Sequence, residues 1–356
     1  MRMLFRGLVF FSAALTPILF LSGCARPSAK PSPQPAALTT TEGLLQYLRE
    51  LPAVQQARIW DNPYGAGLQI FTRHYEIFTT LEDPLMLRQV PSFVESAYAE
   101  YQAQLPDKVS TNHRFVIYLF GLRSQWEQFT RDFAGPNAEV YLRIQRGAYT
   151  INDVCVAYSI GRSQTFSVLG HEGWHQFNSR FFAFRLPSWL DEGVATLFET
   201  CQYRQGRFVF EPQQNLNRLG ALKETMMSGR MIPLEQLLVL NPGQLLPEDG
   251  GANESVTAFY AQTYALVRFL REEFYGYYLR KYHTLMAAGL RGSWPLDEME
   301  AKMASDRNLP LTTAWNERVS PRLFSLYIDS DLKKIEKEYR AFCEKITYPV
   351  HLKVPQ

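Results

Sequence analysis

The chain has 356 residues, 46% hydrophobic and 20% charged, with a formal net charge of +2. That is ample chain for a large core, in the composition range of a globular protein. The near-neutral balance, with no long Lys/Arg run and no aromatic RNA-binding signature, excludes a nucleic-acid partner recruited by charge, and no solenoid or propeller period is evident.

At the N-terminus, Arg2 and Arg6 precede an apolar run and then small residues, the layout of a secretory signal, so residues 1–23 read as a signal peptide. The run ends in LSGC, Leu21 to Cys24, which resembles the lipobox of bacterial lipoproteins. The resemblance implies cleavage before Cys24 and lipid on Cys24, a stable anchor once two or more acyl chains are attached. A plain signal peptide or an N-terminal membrane anchor is the alternative. Ala25, in place of Asp, implies the outer membrane in a Gram-negative host. Residues 24–40 then read as a lipidated cysteine and a Pro-rich extended tether. No later run reaches about 18 consecutive apolar residues, so no further membrane span is expected.

Residues 41–52 read as a short amphipathic helix, and 68–80, rich in β-branched and aromatic residues, as a strand or hairpin. Asp83 and Pro84 open a helix running to about Leu105, with a kink expected at Pro91. A buried strand follows at 114–120, a helix at 122–133, and one or two strands in the stretch 146–159. Ser163 is placed to cap the helix that carries HEGWH, and Pro187 with Ser188 opens the next, through WLDEGVATLFET. Past about 206 the patterns are mostly helical, at 212–228, 233–239, 253–281 and 330–346. The expected class is therefore α+β: a mixed lobe over 41–205, carrying the motif helix and the helix after it, and a helical lobe over 206–356. No linker divides them, so they form one unit. Cys155, Cys201 and Cys343 show no C-x-x-C spacing, and an exported chain can pair two of them.

HEGWH spans His171 to His175. Helical residues four apart share a face, and the two imidazoles point within about 40° of each other, so they can share one tetrahedral ion. Glu172 lies about 60° from His175, at the edge of that face, able to reach a water on the metal without ligating the metal itself. This is why H-E-x-x-H suits metal-assisted hydrolysis. A catalytic zinc also needs a third protein ligand. Glu192 is a candidate, next to Asp191 at the start of the following helix, where both acids are also favoured simply by the helix dipole. Gly170 and Gly173 lie on the back of the motif helix, each about 1 kcal/mol less favourable than Ala there. Close backbone packing behind the site is the expected return, and Gly193 invites the same reading.

HEGWH followed by the Glu of WLDEGVA resembles the gluzincin metallopeptidases. The W-L-x-E-G-x-A pattern is similar to that of the aminopeptidase-N branch and of small peptidase-like lipoproteins related to it. The resemblance implies a zincin-like fold, zinc as cofactor, and Glu192 as the third ligand with His171 and His175. FYAQTYALVRFL, 259–270, resembles that branch's helix beginning Y-x-x-G, whose Tyr donates a hydrogen bond to the tetrahedral intermediate. This implies the same for Tyr260, although Thr263 replaces the Gly, and Tyr264, one turn later on the same face, is the rival; both also suit a helix core. GAYTIN, from Gly147, sits about where that branch keeps G-A-M-E-N, on the edge strand along which substrate lies. The Glu that holds a free substrate amino group is missing from it, which points to an endopeptidase. Glu199 is either a residue orienting a ligand histidine or Tyr260, or a solvated helix acid. The resemblance spans about 147–270. His74, His113, His283 and His351 lack ligand spacing and read as structural.

The function this implies is zinc-dependent hydrolysis of a peptide or protein substrate at the bacterial cell envelope. Glu172 is the general base, and the lipid anchor holds the chain to the membrane, facing the periplasm or the exterior. Two alternatives stand: a non-catalytic zinc-binding or scaffold lipoprotein, and a zinc amidase acting on cell-wall peptides.

Overall fold

A computed structural model of the chain describes residues 38–350, apart from 145–146, 152, 246–253 and 308–312. The expected signal peptide, Cys24, most of the expected tether and His351 lie outside the described residues.

The first helix, α1 (Thr41–Arg49), is capped by the Thr40 hydroxyl, which accepts from the Gly43 N–H at 3.1 Å. Six strands follow with helices between them: β1 (Gln56–Ile59), β2 (Leu68–Phe71), β3 (Tyr75–Thr79), α2 (Pro84–Gln102), β4 (Phe115–Phe120), α3 (Arg123–Ala134), α4 (Ala138–Leu142), β5 (Ala148–Ile151) and β6 (Val154–Tyr158). The sheet order is β1-β2-β3-β4-β6-β5. β3, β4 and β6 run parallel, and β5 turns back antiparallel on β6, so β5 lies at the sheet's edge. β1 escapes the sequence reading because three of its four residues are exposed and show no apolar alternation.

Alternate strand residues face opposite layers. Ile77, Ile117, Leu119 and Cys155 join Leu87 and Val94 of α2 in the larger core. Phe120, Val156 and Tyr158 meet Trp126 and Phe129 of α3 on the other side. Asp83 caps α2 by accepting from the Leu85 and Met86 N–H groups, and the helix runs on through Pro91 to Gln102 as one element.

The motif helix, α5 (Arg162–Phe181), packs between α2 and the sheet. Its N-cap is Gly161, at φ 92°, so Ser163 falls inside the first turn and does not cap it. The Thr165 hydroxyl takes over, accepting from the Ile160 N–H at 3.0 Å and donating to the Gly161 carbonyl at 2.9 Å. The next helix, α6 (Ser188–Ala195), stops short of the expected Thr200 and passes into a 3₁₀ turn, Thr196–Phe198. Its Pro187 N-cap makes no side-chain bond. Asn316, far along the chain, accepts from the Ser188 N–H at 3.3 Å.

A hairpin follows, β7 (Cys201–Arg204) and β8 (Arg207–Phe210), with Gln205 and Gly206 both at positive φ in its turn. The expected lobe boundary at 205/206 therefore cuts a hairpin. Ser92 of α2 donates to the Gly206 carbonyl at 2.5 Å, and Ser96 accepts from the Phe208 N–H at 3.1 Å, which ties β8 to the N-terminal layer.

The rest of the described chain is helical: α7 (Leu216–Met227), α8 (Leu234–Val239), α9 (Glu254–Glu272), α10 (Tyr277–Arg291), α11 (Glu298–Ser305), α12 (Thr313–Tyr327) and α13 (Leu332–Thr347). The single helix expected at 253–281 is two. Phe274, Tyr275 and Gly276, at φ 50°, 52° and 77°, break it, and only Gly276 marks the break in sequence. One contiguous core runs from Leu44 in α1 to Cys343 in α13, so the helical part and the sheet part share it. Cys155, Cys201 and Cys343 are free thiols, not a disulfide pair. Among the described residues no helix is long and apolar enough to cross a membrane.

Candidate metal centre

α5 presents His171 and His175 on one face, with ring centroids 5.0 Å apart. α6 crosses in front of them and supplies Glu192. Its Oε2 lies 3.2 Å from Nε2 of His171 and 3.6 Å from Nε2 of His175. These three groups can hold a metal ion, with one ligand atom from each within 4.8 Å of the others. A tetrahedral ion with bonds of about 2.0–2.1 Å keeps its ligand atoms about 3.3 Å apart, close to the two spacings seen here.

Three glycines let the helices approach this closely. A Cβ on Gly170 would collide with the Phe198 carbonyl, and one on Gly173 with the Tyr101 hydroxyl. Gly193 faces α9, where a Cβ would stand 2.6 Å from Val267 Cγ2 and 2.7 Å from the Thr263 carbonyl. Thr263 is thus part of the backbone seam that α6 presses against. Tyr101 also donates to the Gly170 carbonyl at 2.7 Å, fixing the turn just before His171.

Each histidine carries a carboxylate on its other nitrogen. Nδ1 of His171 lies 3.1 Å from Oε1 of Glu199, and Nδ1 of His175 lies 3.1 Å from Oδ1 of Asp191. A carboxylate there favours the proton on Nδ1 and turns Nε2 toward Glu192, where a bound cation would take its lone pair. Oε2 of Glu192 is buried and faces only the two imidazoles. Two ring nitrogens and a carboxylate oxygen thus converge on one point, an arrangement that a bound cation satisfies once the imidazole protons leave. The residues present therefore fit a divalent metal.

The carboxylates are themselves held. Asp191 Oδ1 accepts from Trp174 Nε1 at 3.0 Å and from Asn178 Nδ2 at 2.7 Å. Glu199 receives Arg218 through Nε at 2.8 Å and Nη2 at 2.6 Å, with Asn215 Nδ2 at 2.9 Å. Burial pushes Glu199 up, but the Arg218 charge and the bonds from His171 and Arg218 outweigh it and hold the carboxyl at about 2. Burial likewise lowers His171, but the carboxylates of Glu192 and Glu199 overcome it and take the imidazole up to about 9. Metal binding displaces such protons, so uptake releases them.

Glu172 lies at the edge of this face. Thr150 of β5 donates to its carboxylate Oε2 at 3.0 Å and to its backbone carbonyl at 3.3 Å. Burial raises the Glu172 carboxyl, partly offset by the two histidines, and the net direction is up.

Tyr260 of α9 lies beside His171, with ring centroids 6.2 Å apart, and the Arg218 guanidinium sits 4.9 Å over the Tyr260 ring. Burial first, then Glu192, keeps its phenol protonated far above the usual tyrosine range. Tyr264 is committed elsewhere: its hydroxyl donates to the Pro212 carbonyl at 2.6 Å and accepts from Arg268 at 2.9 Å.

Asp191, Thr150, Asn215 and Arg218 escape the sequence reading as site residues. Asp191 had a signal, its place beside Glu192, but helix-start chemistry explains an acid there equally well. Arg218 had none, because its tie to Glu199 exists only after the β7–β8 hairpin returns the chain so that α7 starts beside Glu199. Of the other histidines, His74 pairs with Glu95 at 2.7 Å and stacks on Tyr98, a structural role. No family model, curated protein or solved structure matches the chain.

Proposed function

We propose that the chain is a zinc-dependent peptide-bond hydrolase of the gluzincin type, with a zincin-like fold, acting as an endopeptidase. One observation carries the reading: His171, His175 and Glu192 converge while a carboxylate backs each imidazole. A surface helix has no need of that second layer. Two imidazoles and one carboxylate, with a fourth position open, form a donor set suited to catalytic zinc. When bound, zinc supplies Lewis acidity to a scissile carbonyl and lowers the pKa of water.

The protein's own groups do the rest. Glu172 takes a proton from the attacking water and passes it to the leaving amine. Tyr260, kept as a phenol, donates to the developing oxyanion. β5 offers its free edge to an extended peptide, and its Thr150 bonds Glu172, so a strand added there lies beside the base. β5 has no carboxylate to hold a substrate amino group, so a peptide can run past, which supports internal cleavage. Lipid on Cys24 would keep this activity at a bacterial cell envelope.

The test is a peptide library incubated with the wild-type chain and with Glu172→Gln. Internal cleavage by the wild type, abolished in a variant that keeps its zinc, supports the reading. Turnover retained in Glu172→Gln removes the mechanism, and no cleavage by either chain removes the activity.

A further inference from the structure

The first turn of α7 is organised around one carboxylate of the metal centre. Asn215 caps the helix, its Oδ1 accepting from the Arg218 N–H at 3.2 Å, while its Nδ2 donates to Glu199 at 2.9 Å. The Arg218 fork takes both oxygens of Glu199, and the pair is largely buried, with 24% and 11% of the side chains exposed. A cation in the first turn of a helix runs against the helix dipole, and Glu199 offsets that here.

The edge of the guanidinium serves Glu199 and leaves its planar face free to stack. That face covers the Tyr260 ring, with the central carbon 4.9 Å from the ring centroid. Tyr260 has little else to set its direction. Among the described residues its hydroxyl makes no hydrogen bond, and the neighbouring rings of Phe259 and His171 stand at 5.7 and 6.2 Å. A phenol that meets an oxyanion works only if it is already aimed.

We propose that Arg218 is a positioning residue: one guanidinium clamps Glu199 behind His171 and stacks on Tyr260, so the group backing a metal ligand and the group meeting the oxyanion are held as a unit. The proposal rests on the hydrolase reading and adds a residue to it. An arginine that served Glu199 alone would change zinc binding and leave Tyr260 as it was. One that served only packing would act on turnover whether or not the Tyr260 hydroxyl is present.

A double-mutant cycle separates these roles. kcat and KM are measured at saturating zinc for Arg218→Met in the wild-type background and in Tyr260→Phe, which keeps the ring and loses the hydroxyl. Arg218→Met should lower kcat about tenfold with KM within about twofold, and should cost less than about twofold once the hydroxyl is gone. Competition against a chelator should show zinc bound about tenfold more weakly after Arg218→Met in both backgrounds. Equal kcat losses in the two backgrounds, no loss in either, or unchanged zinc affinity overturns the proposal. Arg218→Lys, which keeps a charge but has no planar face, runs the same cycle if Arg218→Met does not fold.

Fluorotyrosine labelling reads the link without turnover. In the zinc-free chain, the fluorine NMR resonance assigned to Tyr260 from Tyr260→Phe should move on Glu199→Gln, and that movement should vanish when Arg218→Met is added. A resonance that Glu199→Gln leaves in place, or moves equally without Arg218, overturns the proposal. A wild-type chain that cleaves nothing removes the hydrolase reading, and the resonance then decides the link by itself.

Discussion

Oε2 of Glu192 lies 3.2 Å from Nε2 of His171, while Oε1 of Glu199 lies 3.1 Å from Nδ1 of the same ring. With a carboxylate on each nitrogen the ring is fixed in place, and a cation bound at Nε2 would displace the proton there and leave the Nδ1 proton hydrogen-bonded to Glu199. The same logic applies to His175 and Asp191. The four carboxyl and imidazole contacts make sense together as a cation site and poorly as isolated ion pairs.

The carboxylates behind the histidines should then govern metal affinity without touching the metal. Asp191→Asn and Glu199→Gln are each expected to weaken zinc binding about tenfold to hundredfold. Competition against a chelator of known affinity measures it. Unchanged affinity in both variants would mean that neither carboxylate sets its histidine.

Tyr260→Phe is expected to lower kcat about 10²–10³-fold with zinc binding unchanged. Tyr264→Phe should show the opposite pattern: turnover within a few-fold, but stability reduced by about 1–3 kcal/mol, because the Pro212 carbonyl and Arg268 lose a buried partner. Steady-state kinetics with denaturant unfolding separates the two, and a reversed pattern would exchange their roles.

The glycines give a stability contrast. Gly193→Ala forces a methyl against Val267 and the Thr263 carbonyl, an expected loss of about 1–3 kcal/mol. Gly220, inside α7, has nothing within 4 Å of an added Cβ, so Gly220→Ala should gain up to about 1 kcal/mol in helix propensity. Urea unfolding of both variants checks the sign, and a stabilised Gly193→Ala would refute tight packing of α6 on α9.

Burial and then the Arg271 charge lower the His283 pKa in the folded chain. Protons therefore bind the unfolded chain first as pH falls through about 6.5, and stability drops from there until the folded imidazole also titrates. The stability of His283→Gln relative to the wild type should rise as pH falls from 7.5 to 5. Urea midpoints at the two pH values read it, and a constant difference would contradict the linkage.

Much of the metal centre could be read from the chain alone, because it rests on local periodicity. His171, Glu172 and His175 need only one helix, and the glycines behind them announce a close neighbour. Glu192 needed a second helix but kept its own signature in WLDEGVA. What stayed hidden depends on contacts distant in sequence. Arg218 meets Glu199 only through the β7–β8 turn, and Asn316 replaces a local cap on α6. The break at Phe274 and Tyr275 was invisible for another reason: aromatic residues carry the apolar pattern across it, so periodicity continues where the backbone does not. Helices α11 and α12 were not read at all.

The most direct test of the three-ligand site is metal content. Zinc is measured by elemental analysis on the purified wild-type chain and on Glu192→Ala, both prepared without chelator and then offered zinc. About one zinc per wild-type chain is expected, lost or greatly weakened in the variant. No zinc in the wild type, either as purified or after addition, would contradict the site, and equal zinc in both chains would remove Glu192 from it.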